Sequence, residues 1–95
     1  MRFVIFAEDR PDGLELRLAT RPTHLEYMSG FNTVVAGPIL DDEGNPCGSM
    51  IVVELDSLAA ARAFAENDPY NEAGLFERVS VREFKTVVWP TTDGA

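Results

Sequence analysis

His24 is the only histidine of the chain and sits in Arg21-Pro22-Thr23-His24-Leu25; Asp68 follows much later, in Asn67-Asp68-Pro69-Tyr70. An imidazole with a carboxylate partner transfers protons near neutral pH, because the ring exchanges a proton there while the carboxylate stays ionised. In that arrangement Asp68 accepts from one ring nitrogen and fixes the tautomer, as in the His–Asp half of a hydrolase triad. The other ring nitrogen is then free to give or take a proton. Both residues also have plainer readings. His24 can be a helix-surface side chain, and Asp-Pro is a common helix stop and turn.

Other candidates follow from position. Ser49 opens an apolar segment beside Gly48 and offers a hydroxyl to a ligand or to the histidine; no nucleophile-elbow pattern surrounds it. Gly37 and Pro38 shape the backbone at a cleft wall. Tyr70 offers an apolar ring with a polar tip. Arg21 can draw an anionic substrate to the rim, or be a solvated charge. Cys47 is the single cysteine, so no intrachain disulfide forms, and it reads as a small apolar residue because no base adjoins it in sequence. One His and one Cys are too few for a transition-metal site within one chain. We therefore expect no metal and no cofactor.

The elements that must position these residues fit in one domain. A chain of 95 residues, 45% hydrophobic and 25% charged, can bury one core. Sixteen acidic against eight basic residues give a formal charge of −8. Without a basic stripe or aromatic–basic interleaving, nucleic acid is not an expected partner. No apolar run reaches the ~20 residues of a membrane span, and the apolar start is too short for a signal peptide. The expected location is cytoplasmic, with no membrane partner.

Phe3 to Ala7 reads as a strand. Leu14, Leu18, Leu25 and Met28 recur at helical spacings that are interrupted near Pro22, which predicts a helix that restarts or bends there, capped by Thr20 or Arg21 and stopped at Gly30. Thr33 to Ala36 reads as a second strand ending at Gly37-Pro38-Ile39-Leu40, residues 41–46 as a hairpin loop, and Gly48 to Leu55 as a third strand. Asp56 or Ser57 caps an alanine-rich helix from Leu58 to about Glu66, which Asn67-Asp68-Pro69 stops. After a turn around Tyr70–Gly74, the last strand runs from about Leu75 to Val88. The domain is thus 1–88, with a tail over 89–95.

The order βαββαβ is the ferredoxin-like split unit, an α+β fold. Its four strands lie antiparallel, the first and third central, with both helices on one face. That topology brings His24, Gly37-Pro38, Cys47-Gly48-Ser49 and Asp68 to one rim. Phe3–Phe6 and Met50–Val53 are apolar at successive positions, the pattern of strands covered on both faces. Two helices cover only one face, and a second copy of the chain is the economical cover for the other.

With those residues identified, the chain resembles the YciI-like (YCII-related) family. The resemblance rests on Arg21-Pro22-Thr23-His24-Leu25, Ala36-Gly37-Pro38-Ile39, Gly48-Ser49, Asp56-Ser57-Leu58 with its alanine-rich helix, Asn67-Asp68-Pro69-Tyr70 and Val79–Phe84. These occur in order from residue 3 to about 88, and the tail lies outside them. The resemblance implies a homodimer of the dimeric α/β barrel type, a cleft in each subunit, and an acid–base pair at the positions of His24 and Asp68. It further implies isomerase-, lyase- or dehydrochlorinase-like chemistry on a small cyclic or phenolic metabolite, since one member dechlorinates a hydroxyquinol and the fold is similar to that of muconolactone isomerases. The alternative is a non-catalytic dimeric module holding a small ligand in the same cleft.

Overall fold

A computed structural model describes residues 1–88; the expected tail, 89–95, lies outside the described residues. The order is β1 (Arg2–Asp9), α1 (Leu14–Met28), β2 (Asn32–Leu40), β3 (Pro46–Glu54), α2 (Leu58–Glu66), α3 (Pro69–Glu72) and β4 (Phe76–Glu83). The strands form one sheet in the order β2-β3-β1-β4, antiparallel at every pairing. This is the expected ferredoxin-like arrangement with one extra turn of helix before the last strand.

The two faces of the sheet follow from the period of two along a strand. Phe3, Ile5 and Ala7 of β1 are buried and stand opposite Val53, Ile51 and Ser49 of β3. Met28 of α1 and Ala61, Phe64 and Ala65 of α2 close over that strip. Burying side chains of this size contributes ~1.5–3 kcal/mol each, so the strip fixes both helices to the same face. The opposite face carries Val4 against Val52 and Phe6 against Met50. There Phe6, Met50 and the neighbouring Val35 are exposed, so the apolar runs of the sequence correspond to an apolar, helix-free face.

The helix expected to restart or bend at Pro22 does not restart: it is one helix from Leu14 to Met28 with Pro22 inside it, and Gly13 rather than Thr20 or Arg21 precedes it as the cap. An interior proline removes a hydrogen bond and costs ~3 kcal/mol. Arg17, before the proline, and His24 and Met28, after it, are all buried. Their spacing puts them on one stripe, and packing along that stripe holds both halves in line.

The second strand, expected over Thr33–Ala36 with Gly37-Pro38-Ile39-Leu40 as its end, keeps strand structure through that segment to Leu40. β2 is an edge strand, the place in a sheet where a proline is tolerated. A register shift between Thr33 and Val35 sets Ala36 opposite Ile51 and Pro38 opposite Ser49, on the helix-covered face. The hairpin closes as expected: Asp41 Oδ1 accepts from the amides of Glu43 and Asn45, both at 2.9 Å, and Gly44 takes φ 84°. Gly48 has a steric reason, since a Cβ there would lie 2.5 Å from the Ala7 carbonyl oxygen.

Ser57, not Asp56, caps α2; its hydroxyl accepts from the Ala60 amide at 3.0 Å. The segment expected as a stop and turn is more ordered than that. Asn67 ends α2, and Asp68 then caps α3, with Pro69 in its first turn. β4 ends at Glu83, short of the expected Val88.

Candidate functional site

His24 projects from α1 and Asp68 stands at the start of α3, two elements that pack against each other. The His24 Nδ1 to Asp68 Oδ1 distance is 2.9 Å, and both side chains are buried. The same carboxylate oxygen accepts from the Tyr70 backbone N–H at 2.9 Å, as an N-cap does. With Asp68 ionised the carboxylate only accepts, so Nδ1 carries the hydrogen and Nε2 is the ring's other, open nitrogen. Nε2 has no hydrogen-bond partner among the described residues.

The ring of Tyr70 stacks on the imidazole, with centroids 4.1 Å apart and planes at 19°. The guanidinium carbon of Arg17 stands 4.5 Å from the centroid of the same tyrosine. Arg17 and His24 are about two turns apart on α1, a rise of ~10 Å, so the Tyr70 ring fills the space between them. Burial is the chief cause that pushes the Tyr70 hydroxyl above its ordinary pKa; the Arg17 charge opposes it and Asp68 adds to it.

Arg17 is the residue the sequence reading missed. Its Nε donates to Asp9 Oδ2 at 2.6 Å, and its Nη2 donates to Asp9 Oδ1 at 2.9 Å and to Ser49 Oγ at 2.8 Å. Both members of the pair are only 4% exposed. Burial alone would lower the Arg17 pKa, but the hydrogen bond and charge of Asp9 outweigh it and hold the group above its ordinary value. The available signal was weak: Arg17 precedes His24 by seven positions and so shares its helix face.

His24, Tyr70, Arg17 and Ser49 line one cavity of about 760 Å³ between α1 and the β2–β3 edge, and Asp68 and Asp9 stand outside its lining. Its lining includes His24, Arg21, Gly37, Pro38, Ser49 and Tyr70, so the structure brings the expected site residues together around it. Leu25, Met28, Phe31 and Ile51 give it apolar walls. The size suits a small molecule, with a few polar groups to orient it. Arg21 is exposed at its margin. Ser49 is turned to Arg17, not to the histidine. Cys47 departs from the expectation: it is exposed and belongs to a separate hollow with Asp9, Asp41 and Glu43. Among the described residues no group of three or more His, Cys, Asp or Glu could hold a metal ion, and no helix is long and apolar enough to cross a membrane.

The sheet order and the buried His–carboxylate pair at a cleft define a ferredoxin-like α+β protein with a candidate proton-transfer site. The model of the YCII-related domain matches residues 1–85, and the chain belongs to that family. It is 41% identical to Protein YciI of Escherichia coli over 97 residues, which cover 92% of this chain and 99% of the relative. An uncharacterised protein of Haemophilus influenzae is 40% identical over 98 residues, with the same coverage. Among solved structures, 5-chloro-2-hydroxyhydroquinone dehydrochlorinase of Burkholderia phenoliruptrix, in complex with 2,5-dihydroxybenzoquinone, has a TM-score of 0.83 and 34% identity, covering 90% of this chain and 94% of its own. An antibiotic biosynthesis monooxygenase at TM-score 0.56 and 11% identity shares the fold, covering 92% of this chain and 98% of its own.

Proposed function

We propose that this chain is a small-molecule enzyme that needs no cofactor, in which His24 transfers a proton and Asp68 orients it. The contact that carries this reading is His24 Nδ1 to Asp68 Oδ1, buried at a cavity wall with the other ring nitrogen unpartnered. Neutral His24 takes a proton at Nε2, and the imidazolium so formed is stabilised by the carboxylate on its far side; the proton then returns to the product or the leaving group. Such a pair suits isomerisation, or elimination of a leaving group, on a small cyclic or phenolic molecule. The likeness to a dehydrochlorinase supports that class.

The proposal includes a cytoplasmic homodimer. The exposed apolar residues on the helix-free face support self-association, and a lone exposed thiol at Cys47 suits a reducing compartment. A second reading, a non-catalytic ligand-binding module, draws on the fact that Asp68 already caps α3, which accounts for its burial without chemistry.

The deciding experiment screens small phenols and lactones by thermal shift, then follows turnover of each binder, with 5-chloro-2-hydroxyhydroquinone among them. Turnover that falls ~10²–10⁴-fold in His24→Ala, with binding largely kept, supports the enzyme. Saturable binding without product for every binder would leave the ligand-binding module. Sedimentation as a monomer at micromolar concentration would sink the dimer.

A further inference from the structure

Arg17 and Ser49 form the other polar end of the cavity, and their hydrogen bonds leave only donors there. Asp9 takes the Nε hydrogen and one from Nη2, and Ser49 Oγ takes the second Nη2 hydrogen. Beyond Asp9 and Ser49 the guanidinium reaches only the Tyr70 side chain among the described residues, and a Tyr70 hydroxyl that accepts from it has its own hydrogen left to give; the Arg17 side chain is 4% exposed. Ser49, itself buried, accepts from Arg17, so its own hydroxyl hydrogen is free to point elsewhere, and no acceptor for it occurs among the described residues. The charge of the lining agrees. In a chain with sixteen acidic and eight basic residues, the described lining holds Arg17 and Arg21 and no Asp or Glu. A cavity that merely sampled this surface would be acidic.

Resting on the reading of the cavity as a small-molecule site, we infer that Arg17 and Ser49 form an oxyanion subsite: the ligand is a small conjugated oxyanion (phenolate, enolate or carboxylate) whose charged oxygen faces this end. The Ser49 hydroxyl hydrogen beside a fixed guanidinium favours an ionised oxygen over its protonated form, because each hydrogen bond strengthens with the acceptor's charge. Asp9 weakens the field but does not take that hydrogen, and it fixes the direction of the guanidinium. The Arg17 guanidinium carbon and the His24 ring centroid both contact Tyr70, so they are no more than ~9 Å apart, well inside the two helical turns that separate their Cα atoms. Tyr70 occupies the direct line between them, and a single-ring ligand in the cavity beside Tyr70 is long enough to set its oxygen at Ser49 and a proton-bearing atom at His24.

The test uses 4-nitrophenol, whose phenol and phenolate differ in visible absorbance and interconvert near neutral pH. Bound to the full chain, it should ionise at lower pH than in water, with phenolate preferred about tenfold or more. Ser49→Ala keeps the buried ion pair and should lose several-fold of that preference. The double variant Asp9→Asn with Arg17→Gln removes both charges together, avoids a buried lone charge, and should abolish it. His24→Gln should keep it, which separates this inference from the proton-transfer reading. Equal binding of phenol and phenolate by the unaltered chain, no binding of either, or an undiminished preference in both the Ser49 and the double variant would overturn the subsite. An intact phenolate preference beside normal turnover in His24→Ala would instead overturn the proton-transfer role of His24 alone. Benzoate competition then tells a general oxyanion site from one confined to phenolates and enolates.

Discussion

Replacing Asp68 tests how much of the site and of the fold rests on one oxygen. Oδ1 accepts from His24 Nδ1 and from the Tyr70 amide, both at 2.9 Å, within a side chain that is 2% exposed. Asp68→Ala leaves two buried donors without partners, at ~1–3 kcal/mol each, so a loss of ~2–6 kcal/mol is expected. That is a large part of the ~5–15 kcal/mol available to a domain of this size. Asp68→Asn behaves differently. The Tyr70 amide keeps the side-chain carbonyl oxygen in place, so the same oxygen still accepts from Nδ1–H, and the loss is ~1–2 kcal/mol as a charged acceptor becomes neutral. A His–carboxylate pair read from sequence alone would predict the wrong tautomer in the asparagine variant, as in hydrolase triads. Here the tautomer should persist, and only the stabilisation of the imidazolium is lost. Urea unfolding followed by circular dichroism gives the energies, and nitrogen-15 NMR of the imidazole gives the tautomer. If Asp68→Ala matches Asp68→Asn in stability, or the asparagine variant carries its proton on Nε2, the shared-oxygen argument is wrong.

The Arg17–Asp9 pair should show strong coupling: Asp9→Ala leaves a buried guanidinium unpaired and costs ~3–5 kcal/mol, much of it recovered by adding Arg17→Met, as a double-mutant cycle in urea would read. Pro22→Ala should raise the melting temperature, because Pro22 sits exposed inside a continuous helix and alanine restores a hydrogen bond worth up to ~3 kcal/mol of propensity; a lower melting temperature would show that the ring is needed. Gly48→Ala should destabilise the β1–β3 pairing markedly, seen as early amide exchange in both strands, since its Cβ meets the Ala7 carbonyl at 2.5 Å. Tyr27 and Tyr70 both have raised pKa values, chiefly through burial, so their stabilising effect is whole below ~10 and is lost as pH rises through the folded values; phenolate absorbance should appear at higher pH in the native than in the urea-unfolded protein.

Strand and helix identities were legible because the local signals agreed with the global fold. The apolar runs at Phe3–Phe6 and Met50–Val53 marked central strands, and Ser57 with the alanine-rich stretch marked α2 at both of its ends, Leu58 and Glu66. The errors fall where a local rule was outvoted by packing. Pro22 reads as a break, yet Arg17, His24 and Met28 are buried along one stripe and carry the helix through it. Gly37-Pro38-Ile39-Leu40 reads as the end of a strand whose body is Thr33–Ala36, but an edge strand tolerates a proline and keeps its structure through that segment, and a register shift in sequence-silent residues sets Pro38 opposite Ser49. No periodicity rule shows that shift, because it depends on which partner the strand meets.

Half of the site was legible for a similar reason. His24 and Asp68 carried punctuation that topology then brought together, whereas Arg17 sat unmarked among leucines in Leu14-Glu15-Leu16-Arg17-Leu18. A buried arginine looks like a solvated one until its acid is known, and Asp9 belongs to a different element. Once both ends are in view, Tyr70 connects them: its ring contacts the imidazole on one side and the guanidinium on the other, while its amide donates to the carboxylate that holds the histidine. The two readings of Asp68, helix cap and histidine partner, are therefore one device. The cap that starts α3 is what fixes the carboxylate oxygen where Nδ1 must find it, so the turn chemistry of Asp-Pro-Tyr is itself the means by which the site is ordered.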